Sequence, residues 1–369
     1  MSSLKVGIVG LPNVGKSTLF NALLKKRVAF SANFPFATVE PNIGVVAVPD
    51  VRLSLLADLV VREEKMENLP PIVSAVVQFV DIAGLVKGAS KGAGLGNQFL
   101  SHIREVDAII EVVRDFEDEN IIREGSENPD SDILTVETEL ALADLQVIEK
   151  LVVVQEKQAK ISKDALDQIK LDILNKAKRE LEKGEIGSFD FAHVLTDERL
   201  KDWFVHLPLL FIKPILYVYN VSEENYGLQL HGGDINGNKL VISAKLEEEL
   251  ADLSDEDRLE YLKEVGIEKT GLERLIVKAY DLLNLISFLT AGKKEVRAWT
   301  VKSGTKAPQA AGVIHSDFEK NFIRAQVIEC GKLIEAGSYV LAKQNGWVRT
   351  EGRDYAVKDG DVIEFFVSS

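Results

Sequence analysis

Cysteine is almost absent from this sequence, since Cys330 is the only one among 369 residues. A single cysteine cannot form an internal disulfide or a thiolate metal site, which suits a reducing compartment. Long apolar runs are also absent: the longest, residues 207–221, contains Pro208, Lys213 and Pro214 and is too short to span a bilayer. The first residues are strand-like and show neither the charged n-region nor the apolar h-region of a signal peptide, so we expect none. We therefore expect a soluble cytoplasmic protein with no membrane partner.

Basic residues are outnumbered by acidic ones: the sequence has 44 Lys and Arg and 58 Asp and Glu, which gives a net charge of −14. Nucleic acids reward Lys and Arg contacts to phosphate, so this balance argues against a nucleic-acid partner, and we expect no DNA binding. Residues 286–369 differ, with 8 Lys and 4 Arg against 4 Asp and 6 Glu, a net charge of +2. On charge alone, an RNA contact by this part and ordinary variation between domains are equally good interpretations.

The most informative motif is the segment from Gly10 to Thr18, GLPNVGKST, which matches a phosphate-binding loop. Apolar runs predict a buried strand before it and a helix after it, which is the context that the motif requires. Backbone N–H groups of the loop and the helix N-terminus would then face a polyphosphate. Lys16 would reach the outer phosphates and is our first catalytic candidate, and the Ser17 hydroxyl would bind Mg²⁺.

Apolar runs recur at residues 43–48, 75–80, 108–113, 214–221 and 239–243 and predict an α/β fold, with ligands bound at the carboxyl ends of the strands. The apolar spacing within residues 51–60 predicts a helix between the first two of these runs.

Two regions depart from this alternation. Residues 131–205 have apolar positions three and four apart, which predicts long paired helices that begin near Ser131 and Asp132, with Gly184 ending the second. Short strand-like pieces at residues 296–301, 323–328 and 362–367, separated by Gly-rich turns, predict a small α+β domain. We thus expect a nucleotide-binding domain over 1–285, interrupted by the helical insertion 131–205, and a separate domain over 286–369.

Downstream segments fit a GTPase-like site in the expected order. Thr38 could close on Mg²⁺ and the γ-phosphate, as switch loops do. Asp81, at the end of an apolar strand, would hold Mg²⁺ through water, and the Gly84 N–H could meet the γ-phosphate. Leu85 stands where small GTPases carry the glutamine that orients the attacking water. We therefore expect slow unassisted turnover and help from another residue, a cation or a partner.

The base-reading segment separates ATP from GTP. GTPases carry Asn-Lys-x-Asp at the end of the next strand, and the aspartate accepts two hydrogen bonds from guanine. Here Val221 replaces the lysine after Asn220, and Glu223 is one methylene longer than the aspartate. A misplaced carboxylate loses the selectivity of a polar pocket, which favours ATP over GTP. The segment Ser243-Ala244-Lys245 fits the last base-side loop.

At this point the chain resembles the Obg-like ATPase family, in its YchF subfamily. The resemblance covers nearly the whole chain and rests on GLPNVGKSTLFNAL from Gly10, NFPFAT from Asn33, DIAGLVKGASKG from Asp81, the segment at Asn220, and EVRAWT with APQAAG from Glu295. It implies an ATP-preferring hydrolase with a P-loop NTPase domain of the G-domain type. It also implies an inserted antiparallel coiled coil, a C-terminal TGS domain of the β-grasp type, and association with ribosomes, through the large subunit or ribosomal RNA.

The resemblance also implies residue roles. The phosphates would be contacted by Asn13, Val14, Gly15, Lys16, Ser17 and Thr18. Ser17 and Thr38 would bind Mg²⁺, and the backbone at Val221 would read adenine beside Asn220, Glu223 and Ser243. Asn13 is also a candidate ligand for K⁺, which could stand in for an arginine finger.

One position departs from the family pattern. The family usually has a catalytic histidine directly after Ile122, and this chain has Arg123. Arginine cannot act as a base but could stabilise transition-state charge. A solvated loop residue is an equally good interpretation. Three functions thus stay open: an ATPase switch, a GTP-specific switch, and a non-enzymatic scaffold that keeps nucleotide for structure.

Overall fold

The computed structural model describes residues 4–30, 42–82, 95–118, 123, 127–162, 164–183, 197–230 and 237–368. The strands are β1 Lys5–Val9, β2 Ile43–Ala47, β3 Ile72–Val73, β4 Val76–Asp81, β5 Ala108–Asp115, β6 Ile215–Val221, β7 Lys239–Ile242, β8 Leu285–Ala291, β9 Val296–Lys302, β10 Phe322–Glu329, β11 Arg349–Glu351 and β12 Asp361–Val367. The helices are α1 Lys16–Phe30, α2 Val51–Glu64, α3 Leu95–Arg104, α4 Pro129–Ile161, α5 Ala165–Lys183, α6 Glu198–Val205, α7 Glu223–Leu230, α8 Ala244–Asp252, α9 Asp255–Glu264, α10 Gly271–Leu282, α11 Ala307–Ile314, α12 Ser316–Lys320, α13 Cys330–Ala336 and α14 Tyr339–Gln344.

The fold is α/β, as predicted, and the chain forms two compact units. The phosphate-loop unit comprises Lys5–Asn21 and Val80–Leu250, and the C-terminal unit comprises Met1–Leu4, Ala22–Phe79 and Ala251–Ser369. Each unit thus draws on separate stretches of the chain. The domain boundary that we expected between residues 285 and 286 stays a prediction.

A parallel sheet with the strand order β1-β5-β6-β7 organises the phosphate-loop unit. Strand β5 is buried along almost its whole length, which explains its continuous apolar run because parallel strands are covered on both faces. All strands of a parallel sheet end at the same edge. The loop after β1, the end of β6 and the residues after β7 therefore meet there. Asp81, the last residue of β4, is close enough to this edge to act electrostatically on Lys16.

The helical insertion consists of α4 and α5, joined by residues 162–164, with α6 packed beside them. Helix α4 begins at Pro129, two residues earlier than predicted, because Asn128 and Ser131 form a capping box. The Asn128 side chain accepts the Ser131 N–H at 2.9 Å. Helix α5 ends at Lys183, and Gly184 lies outside the described residues. The shared core contains Ile148, Val152, Leu174, Ala177, Leu181 and Phe204.

Buried polar contacts fix helix α4 within its unit. The Asp144 carboxylate accepts the N–H groups of Leu210 and Phe211 at 2.7 and 2.8 Å, just before β6. Burial raises the pKa of Asp144 to about 7 against the opposing effect of these bonds. The Tyr217 hydroxyl on β6 donates to Glu137 at 2.6 Å. Because buried polar groups are costly to leave unpaired, these bonds hold α4 in one position.

The C-terminal unit is built on a second sheet, with the strand order β11-β10-β12-β8-β9-β3. Strand β10 pairs antiparallel with β11 and β12, and β12 pairs parallel with β8. Strand β3, from much earlier in the chain, adds to the edge beside β9, and α2 packs against β8 and β9. The Arg52 guanidinium on α2 bonds Asp50 and Asp359 at 2.8 and 2.7 Å. Residues 51–60 are helical as predicted, and our strand predictions missed β3, β8 and β11.

Within the ranges that the structure describes, no helix is both long and apolar enough to cross a membrane.

Glu111, on β5, is a buried carboxylic acid that generates a stability prediction. It is 1% exposed, and neither carboxyl oxygen has a hydrogen-bond partner within the described structure. Burial raises its pKa well above the ordinary value, and the negative charges of Glu137 and Asp132 add to the effect. The folded chain therefore keeps a proton that the unfolded chain loses above about pH 4, so this group makes stability fall as pH rises.

We expect Glu111→Gln to raise stability at pH 8 by about 1–2 kcal/mol, because the amide needs no proton to stay uncharged. The gain should shrink at pH 5, where the wild-type carboxyl keeps its proton at little cost. Thermal unfolding at both pH values measures this, with Glu156→Gln, an exposed glutamate on α4, as the matched control. Identical pH dependence in wild type and Glu111→Gln would contradict the interpretation.

Candidate functional site

The loop between β1 and α1 depends on two glycines. Gly10 has φ 147°, and a Cβ there would lie 2.4 Å from the Val112 carbonyl oxygen. Gly15 has φ 97°, and a Cβ would lie 2.3 Å from the Asn220 amide nitrogen. Asn13 also has positive φ, at 61°. Only glycine fits both close approaches, so the path of the loop depends on these two residues. The first turn of α1 contains no acidic residue that would repel an anion at the helix N-terminus.

Lys16 is the buried cation of this loop. Lys16 is only 8% exposed. Its ammonium donates to the Leu11 carbonyl oxygen at 2.6 Å. Burial lowers its pKa to about 8, while the negative charge of Asp81 acts in the opposite direction. A desolvated ammonium with one carbonyl partner can gain much from an anionic ligand. This is the electrostatic property that the phosphate-loop prediction requires.

The predicted Mg²⁺ ligands are only partly described. Ser17 is exposed on the first turn of α1, and Thr18 next to it is half-buried. Asp81 ends β4, and burial raises its pKa against the opposing charge of Lys16. Hydroxyl and carboxylate oxygens suit Mg²⁺, so Ser17 and Asp81 fit this ion by chemistry. The remaining predicted residues, Thr38, Gly84 and Leu85, lie outside the described residues.

The described part of the site contains no preformed all-protein metal cluster. Among the described residues, no group of three or more His, Cys, Asp and Glu side chains is placed to hold a metal ion. Mg²⁺ commonly binds through one or two protein groups, waters and substrate phosphates. A serine and an aspartate are therefore a sufficient protein contribution when a nucleotide supplies the other oxygens.

Asn220 is the central polar residue of the site. It lies at the end of β6, is 5% exposed, and uses both ends of its amide. Its nitrogen donates to the Val14 carbonyl oxygen at 2.9 Å, and its oxygen accepts the Ala244 N–H at 2.9 Å. The sequence motif placed Asn220 beside the base. The structure shows that its side chain joins the phosphate loop to the loop after β7.

We call the Asn220 side chain with its two hydrogen bonds the Asn220 strut. The other residues predicted to lie on the base side are at or just after the ends of β6 and β7. Val221 and Ser243 are 2% and 1% exposed, and the Ser243 carbonyl oxygen accepts the Glu247 N–H at 2.9 Å at the start of α8. Glu223 begins α7, and its carboxylate pairs with the Lys245 ammonium at 2.9 Å. Sequence reasoning missed this ion pair, although the position of Lys245 directly after the Ser-Ala segment was a signal for it.

Arg123 makes structural contacts at the end of β5. Its guanidinium donates to the Arg114 carbonyl oxygen at 3.1 Å and to Asp132 on α4 at 2.8 Å. The Asp132 carboxylate is buried and also accepts the Arg114 N–H at 3.3 Å. Arg123 therefore ties the segment after β5 to helix α4. This differs from the solvated loop residue that we considered, and a catalytic role for Arg123 stays a prediction.

Comparison with known proteins yields full-length matches. A family model for the C-terminal domain of YchF GTPases, described as "Protein of unknown function (DUF933)", matches residues 285–368. A second family model, described as "50S ribosome-binding GTPase", matches residues 5–173. Relatives named "Ribosome-binding ATPase YchF" are among the similar proteins. The one from Bacillus subtilis is 47% identical and matches 98% of this chain and 99% of its own. The one from Escherichia coli is 48% identical and matches 98% of each chain.

A solved structure, described as "Structure of the Schizosaccharomyces pombe YchF GTPase", is also similar. Its TM-score is 0.84, with 36% sequence identity over 99% of this chain and 98% of that chain. The likeness thus extends over both compact units and not over the phosphate loop alone.

The Asn220 strut generates a prediction about the site. Asn220→Ala leaves the Val14 carbonyl and the Ala244 N–H unpaired in a buried place, so we expect a loss of about 2–4 kcal/mol of stability and weaker nucleotide binding. Asn220→Asp keeps an acceptor for Ala244 but loses the donor to Val14. It should therefore bind nucleotide more weakly than wild type while keeping part of the stability.

Chemical denaturation and nucleotide titration of the three proteins measure both effects. Asn225→Ala, on the exposed first turn of α7, serves as the matched control. Wild-type nucleotide affinity in Asn220→Ala would contradict the assignment.

Proposed function

Since this chain belongs to the YchF family, we propose that it is a Mg²⁺-dependent ATPase that prefers ATP to GTP and acts as a switch on the ribosome. The observation that carries this proposal is the Asn220 strut, which fixes the phosphate loop and the base-side loop as one site. The names of the bacterial relatives, which call them ribosome-binding ATPases, support it. A ribosomal partner also agrees with a cytoplasmic location.

ATP preference follows from what the base-side residues offer. Reading guanine requires a carboxylate that accepts two hydrogen bonds, and Glu223 is both longer than aspartate and paired with Lys245. Val221 supplies no side-chain polar group. A site whose polar partners are misplaced for guanine loses its advantage for that base, so adenine, read by backbone atoms at Val221, is the better ligand.

In the proposed reaction Lys16 stabilises charge on the outer phosphates. Ser17, Thr38 and Asp81 would hold Mg²⁺, which would supply further positive charge to the phosphate oxygens. The N–H groups of the loop from Asn13 to Thr18, and that of Gly84, bind the phosphates. Asn13 is the proposed ligand if K⁺ contributes. With Leu85 in place of a water-orienting glutamine, we propose a low intrinsic rate that the ribosome increases.

The proposal also names the part of the ribosome that the chain contacts. The large subunit is the proposed partner, in agreement with the description "50S ribosome-binding GTPase" of the family model over residues 5–173. The net charge of +2 over residues 286–369 supports a contact between this part and ribosomal RNA. A GTP-specific switch is the second candidate, since the Schizosaccharomyces pombe relative is called a GTPase.

We predict that the chain binds ATP at least about tenfold more tightly than GTP, a difference of about 1.4 kcal/mol. The test is a titration of both nucleotides with Mg²⁺, with hydrolysis followed in the same samples in K⁺ and in Na⁺ buffer, with and without ribosomes. Turnover without ribosomes should be well below about 10 per second. The double variant Val221→Lys with Glu223→Asp should shift the preference toward GTP.

Equal or reversed affinities would contradict the ATP preference and favour the GTP-specific switch. An absence of turnover under every condition, with nucleotide still bound, would favour the scaffold. Lys16→Ala is the control for the site itself, because hydrolysis by that variant at the wild-type rate would place catalysis elsewhere.

A further inference from the structure

The ion pair between Glu223 and Lys245 lies on the base side of the site. The carboxylate and the ammonium are 2.9 Å apart, with the side chains 41% and 74% exposed. Glu223 directly follows the loop after β6. Lys245 directly follows Ala244, whose N–H is held by the Asn220 amide. The backbone beside Lys245 is therefore positioned by the same strut that positions the phosphate loop.

The charges around Lys245 keep its ammonium protonated. Glu223 is its hydrogen-bond partner, and the carboxylates of Glu249 and Asp118 act on it electrostatically. The hydrogen bond to Glu223 is the largest cause of the raised pKa of Lys245. A charge-assisted hydrogen bond of this kind competes with any other donor for the same carboxylate.

The two bases differ in what they offer to that carboxylate. At its pairing edge guanine presents two adjacent N–H donors, which match the two oxygens of one carboxylate. Adenine presents a single amino group there, beside an acceptor nitrogen that a carboxylate repels. An unpaired carboxylate at this place would therefore help guanine more than adenine.

We propose that Lys245 is a specificity-determining residue that holds the Glu223 carboxylate and so withholds it from guanine. The inference rests on the proposed ATP preference and adds a residue that the base-reading motif does not contain. Selectivity against GTP then has two sources. One is the length of the Glu223 side chain, and the other is the Lys245 ammonium that pairs with its carboxylate.

The test compares affinities for ATP and GTP analogues that are not hydrolysed, measured by calorimetry on the full chain. Lys245→Met should lower the ratio of ATP to GTP affinity about three- to fivefold, mainly by tightening GTP, which is the range of an exposed ion pair. Adding Glu223→Gln to Lys245→Met removes the released carboxylate and should restore the wild-type ratio. Lys332→Met, which breaks an exposed 3.3 Å pair with Glu329, is the matched control and should leave the ratio unchanged.

The two proposals fail in different ways. If wild type prefers ATP and Lys245→Met leaves the ratio unchanged, or weakens both nucleotides equally, Lys245 does not determine specificity and the proposed function stands. If wild type binds both nucleotides equally, the proposed ATP preference fails. In that case, GTP affinity that is the same in Lys245→Met and in wild type overturns this inference as well. Thermal unfolding of each variant confirms that the folded chain was compared.

Discussion

The candidate site depends on one buried side chain that is bonded at both ends. Asn220 closes the gap between the Val14 carbonyl in the phosphate loop and the Ala244 N–H after β7, at 2.9 Å on each side. The parallel sheet makes this possible, because β1, β6 and β7 all end at the same edge. Gly15 is required for the same reason, since a Cβ there would collide with the Asn220 amide. The residues proposed to bind the phosphates and those proposed to read the base are therefore parts of one hydrogen-bonded structure.

Titratable side chains are buried in the phosphate-loop unit at two kinds of place. Lys16 is desolvated beside a loop carbonyl, where an anionic ligand can compensate for the lost water. Asp144 and Glu111 lie where β5, β6 and helix α4 come together, and burial raises the pKa of both. The Lys16 ammonium is the proposed partner of the phosphates. The other two restrict how the helical insertion joins the sheet, because a shift of α4 would expose or strand them.

The sequence predicted what local pattern controls. Motif and periodicity located β1, the phosphate loop, eight further strands and the paired helices of the insertion, because glycine spacing and apolar runs are set by neighbours along the chain. They did not locate β3, a two-residue strand that exists through its pairing with β9, nor the contacts of Arg123 with Asp132. Asn220 was recognised as a base-side residue, but its bond to Val14 spans more than 200 residues and leaves no trace in local pattern.

Amide hydrogen exchange at Ala244 in the nucleotide-free protein tests the central claim most directly, because that N–H bonds only to the Asn220 side chain in the described structure. If Asn220 joins the two loops before nucleotide binds, the Ala244 amide should exchange as slowly as neighbouring buried amides in β6, such as that of Val218. Asn220→Ala should abolish this protection. Exchange at the rate of an exposed loop, slowed only after ATP is added, would contradict the account, because the strut would then form only when nucleotide binds.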